Sequence, residues 1–307
     1  MTARRTAVLA SVLAAAALAV AAEPVPAPIA RVHVLGVRAS VAPADDPFPR
    51  PFPAVSNAGG RGVVSLGVDE DNVVPGSAFT VRYTTAPGTL QQNVDVYFAA
   101  RLPSGALLYL ASGGLDPAVA AYQTNVAIAD QTTSLVTVRV PGDLPFGTYT
   151  FYVGLVYAGA DPRDHANWAS ATSEVDVTVS ALSPAQQAVL QARGNPDFLT
   201  VFWFDETVEK RESWLYLSGT PARIAFLNGV LDGQETPPAT SGGPGPKLDP
   251  ALCTPQATKD TLAATLGAPG AVQPIDGAPG WEQATWTGGL TVLFHDGRLA
   301  SAATAAR

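Results

Sequence analysis

Cysteine is almost missing from this chain: Cys253 is the only one in 307 residues. One thiol cannot close an internal disulfide, so each domain must be held by burial of apolar surface. Charge is scarce as well, at 14% of residues, with 18 basic against 26 acidic side chains and a net charge of −8. No basic run or stripe occurs, which argues against nucleic acid and anionic lipid as partners. The three histidines, His33, His165 and His295, fall in separate segments and show no sign of converging on a triad or a metal. Gly-x-Ser-x-Gly, His-Glu-x-x-His, the Walker loop and the dinucleotide glycine fingerprint are all absent. No cofactor and no enzymatic reaction are expected. Long hydrophobic runs are missing too. The longest, Ala7–Ala22, has 16 residues, short of the roughly 20 that cross a bilayer as a helix.

What is present points to a multidomain, mainly β chain. Apolar residues make up 47%, enough for buried cores, while 28 Gly and 27 Pro favour strands and turns over long helices. The length suits two or three domains. Residues 1–22 read as a secretory signal peptide. Arg4 and Arg5 precede the apolar run Ala7–Ala19, and small residues from Ala19 to Ala22 allow cleavage before Ala22 or Glu23. The expected destination is the periplasm or the extracellular space, with no transmembrane span after cleavage. No cysteine stands near the cleavage point to take a lipid. Residues 23–62 form a Pro-rich tether, because proline lacks the amide donor and restricts its neighbour. Only Val32–Val37 interrupts the tether with a strand-like stretch.

Residues 63–181 predict an immunoglobulin-like β-sandwich. Alternating segments at 65–68, 79–83, 94–98, 106–110, 135–140, 149–157 and 175–179 make seven strands separated by turn signals. Within them, Leu144-Pro-Phe-Gly-Thr-Tyr149 places a turn and then a tyrosine at the head of the strongest strand. This resembles the tyrosine corner of Greek-key sandwiches. The surrounding string resembles the bacterial immunoglobulin-like modules found on many exported proteins.

The remainder carries one pattern twice, in residues 182–235 and 253–307, on either side of a Pro/Gly linker at 236–252. In the first copy Ser183 caps a helix with Pro184 at its start, and Ala185–Arg193 runs to a stop at Gly194. Trp214-Leu-Tyr216 and Phe226-Leu-Asn-Gly229-Val-Leu231 follow. In the second, Thr254 caps, Pro255 begins, and Ala257–Leu266 is helical up to Gly267. Trp281, Trp286 and Phe294-His-Asp-Gly297-Arg-Leu299 complete it. Two small α+β units are expected, each a helix on an antiparallel sheet. The order of these elements resembles the outer-membrane assembly lipoproteins of the BamE (SmpA/OmlA) type and the tandem-repeat β-lactamase inhibitor proteins. That resemblance implies units that bind other proteins in the cell envelope. The lipidated cysteine of the lipoproteins and the disulfides of the inhibitors have no counterpart here, and no inhibitor contact residue maps onto this chain.

Four of the five tryptophans lie in the doubled region. Trp203, Trp214, Tyr216, Trp281 and Trp286 are the candidate binding residues, since aromatics dominate protein interfaces. They serve equally well to fill the core of a small two-layer unit. Asp69-Glu-Asp71 and Asp161-Pro-Arg-Asp164 supply oxygen ligands of the kind calcium takes, provided both loops meet at one end of the sandwich. Their other reading is ordinary turn chemistry. The expected function is that of an exported, non-enzymatic module binding another envelope or secreted protein. A calcium- or polysaccharide-binding surface module and a hydrolase with a carboxylate site are the alternatives.

Overall fold

The computed structural model describes residues 62–111, 114–170, 172–237 and 247–304. The predicted signal peptide, the tether up to residue 61 with its 32–37 stretch, and the linker at 238–246 lie outside the described residues. The described chain is mainly β, with several sheets.

The sandwich region contains β1 (Val63–Val68), β2 (Asn72–Val73), β3 (Ala78–Ala86), β4 (Val94–Arg101) and β5 (Leu107–Ala111). It continues through β6 (Gly114–Asp116), β7 (Gln123–Val126), β8 (Gln131–Arg139), β9 (Gly147–Tyr157) and β10 (Ser173–Val179). One sheet has the order β1-β3-β8; the other runs β2-β10-β9-β4-β5-β6, with β7 also on β4. After β1 the chain changes sheets, and β2 pairs in parallel with β10. This two-sheet order fits an immunoglobulin-like sandwich. Strand β3 shows why it forms: Phe79, Val81 and Tyr83 are buried while Arg82 and Thr84 are exposed, the alternation of a sheet wet on one side. Phe79 and Phe98 each pack a ring on Phe151, at 5.8 and 6.0 Å between centroids. Tyr149 donates its hydroxyl to the carbonyl of Pro145 at 2.8 Å, the tyrosine corner expected from the sequence.

Strand β9 is buried on both sides. Its inward residues Phe151, Val153 and Leu155 join the core between the sheets, while Tyr152 and Val156 belong to a separate cluster with Tyr109 and Trp168 on the outer face. Trp168 lies directly over Gly154, where a Cβ would come within 2.2 Å of its ring. Only glycine allows so close an approach of indole to strand.

The C-terminal region begins with helix α1 (Pro184–Arg193), whose cap is Ser183. A complete capping box forms, with Ser183 Oγ accepting from the Gln186 amide and Gln186 Oε1 accepting from the Ser183 amide. Four antiparallel strands follow: β11 (Phe198–Phe204), β12 (Glu209–Tyr216), β13 (Ala222–Leu227) and β14 (Val230–Glu235). Then come α2 (Lys259–Leu266), β15 (Ala271–Pro274), β16 (Trp281–Thr285), β17 (Leu290–His295) and β18 (Arg298–Thr304). All eight strands form one sheet, β14-β13-β12-β11-β18-β17-β16-β15. The seam is the antiparallel pairing of β11 with β18, Val201 opposite Ala302. Both halves share a single core, so the sheet is continuous rather than two separate ones. Each half has a hairpin with two consecutive positive-φ residues, Asn228-Gly229 and Asp296-Gly297. That is the left-handed pair which a two-residue turn between twisted strands requires.

Two local expectations shift. The second helix is capped by Thr258 rather than Thr254, and starts at Lys259. Thr254 is buried instead, and Asp249 caps a short 3-10 turn at Pro250–Leu252. The end of the expected linker is therefore structured: Leu248 is buried in the shared core beside Cys253.

The sandwich and the C-terminal region touch. The Trp203 ring packs on the backbone at Gly142, where a Cβ would meet it at 2.7 Å. Gln256 donates its side-chain amide to the carbonyl of Leu144. No helix among the described residues is long and apolar enough to cross a membrane.

Candidate functional site

The eight-stranded sheet has two unequal faces. Side chains alternate along each strand, and on one side Leu199, Val201, Trp214, Ile224, Phe226, Val292 and Phe294 build the core under the helices. The opposite face is half-exposed. Register places its residues in rows across the strands. Leu227, Arg211, Phe202, Ser301, Leu293 and Gln283 form one row. Ala225, Ser213, Thr200, Ala303, Thr291 and Thr285 form the next. Phe198 stands opposite Leu215, and Phe204 beside Phe202, with ring centroids 6.4 Å apart. Phe204 is 43% exposed and Val230, next to Leu227, 66%. Two ion pairs stand on the β12–β14 side of the face: Arg223 with Glu235 at 3.0 Å, and Arg211, in the row of Phe202, with Glu209 at 2.5 Å. The β11–β18 seam in the middle of the face carries Phe202, Thr200, Ser301 and Ala303.

The five aromatics expected at a binding surface divide sharply. Trp203, Trp214, Tyr216 and Trp286 are buried on the covered side, with Trp214 fully enclosed and its ring 4.7 Å from Phe226. Tyr216 donates its hydroxyl to the carbonyl of Gly194 at 3.1 Å, and Trp286 donates Nε1 to the carbonyl of Gly267 at 2.8 Å. Each therefore satisfies the carbonyl at the C-terminal end of the helix in its own half. Burial raises the Tyr216 phenol to about 12, against the opposing charge of Arg193. These four are packing and capping residues. Trp281 alone stands on the open face, half-buried and stacked on His295 at 4.6 Å and 17°.

The acidic loops do not meet. The backbone carbonyl of Asp71 accepts from the Thr178 amide, and Thr178 pairs with Thr148 at the start of β9. Asp161 follows the end of that strand at Tyr157, roughly 30 Å away at a strand's rise per residue. Asp69 accepts from the Thr80 amide at 2.5 Å and faces Arg82 at 3.4 Å. Asp161 and Asp164 accept from the Arg163 and Ala166 amides at 3.0 Å, each closing a turn on its own backbone. Their loop also fixes Trp168, whose Nε1 donates to the carbonyl of Pro162 at 2.9 Å. No group of three or more His, Cys, Asp and Glu among the described residues is placed to hold a metal ion.

Cys253 is fully buried in the shared core, and burial pushes its thiol up to about 12 despite the nearby charge of Lys210. It is a packing residue, not a nucleophile. A cavity of about 380 Å³ opens in the sandwich between Tyr83, Val96, Gln123 and Ile128; its lining holds no carboxylate, histidine or thiol.

Sequence reasoning overlooked Phe198, Phe202 and Phe204. The signal was there, since Phe198-Leu-Thr-Val-Phe-Trp-Phe204 is apolar at both parities. It also overlooked a buried polar group of Gln186, Lys210 and Glu212.

No family model matches the chain, and no curated protein matches its sequence. Among solved structures it is similar to Spo0M, the sporulation control protein of Bacillus subtilis, at 12% identity and a TM-score of 0.24, covering 56% of this chain and 83% of that one. It is also similar to the CARDB domain of the PF1109 protein of Pyrococcus furiosus, solved with di-metal ions. There the identity is 12% and the TM-score 0.22, covering 39% of this chain and 94% of that domain. At these scores neither likeness bears on the function of this chain.

Proposed function

We propose that this chain is an exported, non-enzymatic binding protein whose C-terminal sheet takes another envelope or secreted protein on its open face. The observation that carries this reading is the set of partly exposed apolar side chains Phe198, Phe202, Phe204, Leu215, Leu293 and Trp281 on the face opposite the core. Exposed apolar surface rich in aromatic side chains is what protein partners bury. Export rests on the leader at 1–22. The repeated succession of capped helix and four antiparallel strands, with Tyr216 and Trp286 serving the two helix ends alike, supports descent from one duplicated unit of the BamE or β-lactamase-inhibitor type.

The test is capture of a partner from the envelope and secreted fractions by the tagged full chain, compared with the double variant Phe202→Ser, Trp281→Ser. The variant should lose the captured protein while keeping its circular dichroism and a cooperative thermal transition. Undiminished capture by the variant would place the interface elsewhere and defeat this reading.

A further inference from the structure

Beneath α1, three polar side chains occupy positions where the core would otherwise be apolar. Lys210 and Glu212 are two residues apart on β12, so both point to the covered face, and both side chains are entirely shielded from solvent. Gln186, in the first turn of α1, is equally buried. Lys210 Nζ lies 3.2 Å from Glu212 Oε1, close enough for an ion pair, yet neither atom completes a hydrogen bond. The other carboxylate oxygen, Oε2, accepts from Gln186 Nε2. The Gln186 carbonyl oxygen accepts from the backbone amide of Ser183 at 3.0 Å. A buried ion pair rarely recovers its desolvation cost, least of all when its hydrogen bonding is incomplete. As a structural device this arrangement is poor. As a reaction centre it holds every component of an acyl transfer: an amine, an amide, one carboxylate touching both nitrogens, and a backbone N–H on the carbonyl oxygen.

We infer that Lys210 and Gln186 join in an autocatalytic isopeptide bond, with Glu212 shuttling the protons. Glu212 Oε1 takes a proton from Nζ, which frees the lone pair to attack the Gln186 amide carbon, Cδ. The new N–C bond places negative charge on Gln186 Oε1, where the Ser183 N–H stabilises it. Collapse breaks the Cδ–Nε2 bond, Glu212 delivers its proton to Nε2, and that nitrogen departs as ammonia. The second proton that Nζ gives up on becoming an amide remains on Glu212. No oxidant or co-reactant enters, and a buried ion pair is exchanged for neutral groups, which favours the product in a dry core. The bond ties the first turn of α1 to β12 in a chain whose single cysteine cannot close an internal disulfide.

Peptide mapping of the purified full chain tests this directly. Under denaturing, reducing conditions trypsin should fail to cut after Lys210. The peptide ending at Arg211 should run joined to the one carrying Gln186, one ammonia lighter than the sum of the two. Fragment spectra should place the junction at those two side chains. The Glu212→Gln and Gln186→Met variants should each lose the joined species, since methionine offers no acyl carbon to attack. Recovery of both wild-type peptides unlinked, with cleavage at Lys210, overturns the proposal, whether or not either variant folds. A species one water lighter and joined at Glu212 overturns the assignment to Gln186. A persistent link in Glu212→Gln removes that residue from the reaction.

Discussion

The sandwich and the C-terminal sheet meet the same requirement, covering apolar faces of strands, and finish differently. In the sandwich, β9 is enclosed on both sides: Phe151, Val153 and Leu155 face the partner sheet, and the loop after β9 folds Trp168 back over Gly154 outside. In the C-terminal region α1, α2 and the Leu248–Cys253 segment cover one face of eight strands. The other face keeps its phenylalanines half in water. The sandwich sheet is thus closed on both sides around β9, whereas the C-terminal sheet leaves apolar side chains of one face partly in water.

That contrast is open to attack, most forcefully through the two enclosed tryptophans. Trp168→Ala and Trp214→Ala, both at fully buried rings, should each cost about 3–5 kcal/mol in urea unfolding. A cost near zero for Trp168→Ala would mean that the outer face of the sandwich is not closed. Tyr149→Phe removes one half-buried hydrogen bond and should cost about 1 kcal/mol, confined to the sandwich transition. Phe202→Ser, at a half-buried ring, should cost about 1 kcal/mol, well below Trp214→Ala. A loss rivalling that of Trp214→Ala would show the open face to be packed after all.

The smallest expected effect concerns Asp69. Burial acts to raise its carboxyl, but hydrogen bonds from Thr80 and the charge of Arg82 prevail and hold it below the usual carboxylate range. A depressed folded-state value adds stability above the unfolded pKa, and that stability is lost as the pH falls through the folded value. Asp69→Asn should therefore lower the melting temperature slightly at neutral pH and leave it unchanged in strong acid. The group is well exposed, so the shift should shrink further in salt.

Much of the fold is legible in the sequence because its signals are local. The seven strands expected in the sandwich all appear, within residues of their expected ends, since period-two alternation needs only a few neighbours. The short β2, β6 and β7 carry too few residues to alternate and leave no such signal. Ser183-Pro184 and the Gln186 capping box are readable for the same local reason. Thr254-Pro255 is an equally good cap by residue type, but the chain buries Thr254 beside Cys253 and starts the helix one turn later. The aromatic site is half legible: its residues are conspicuous, while their orientation is not.

The chain by itself determined where the longer strands, the Ser183 cap and the hairpin turns fall. Alternation, proline geometry and the Asn-Gly and Asp-Gly pairs act over a handful of residues, whatever surrounds them. Only the tertiary structure decided that β11 joins the distant β18, so that both halves share one sheet. It likewise decided which side of Phe198–Phe204 faces the core, and that Gln186, Lys210 and Glu212 meet. A strand apolar on both faces holds no local record of which face is inside. That choice belongs to the helices that dock on it, and the face they leave uncovered keeps its apolar side chains partly in water.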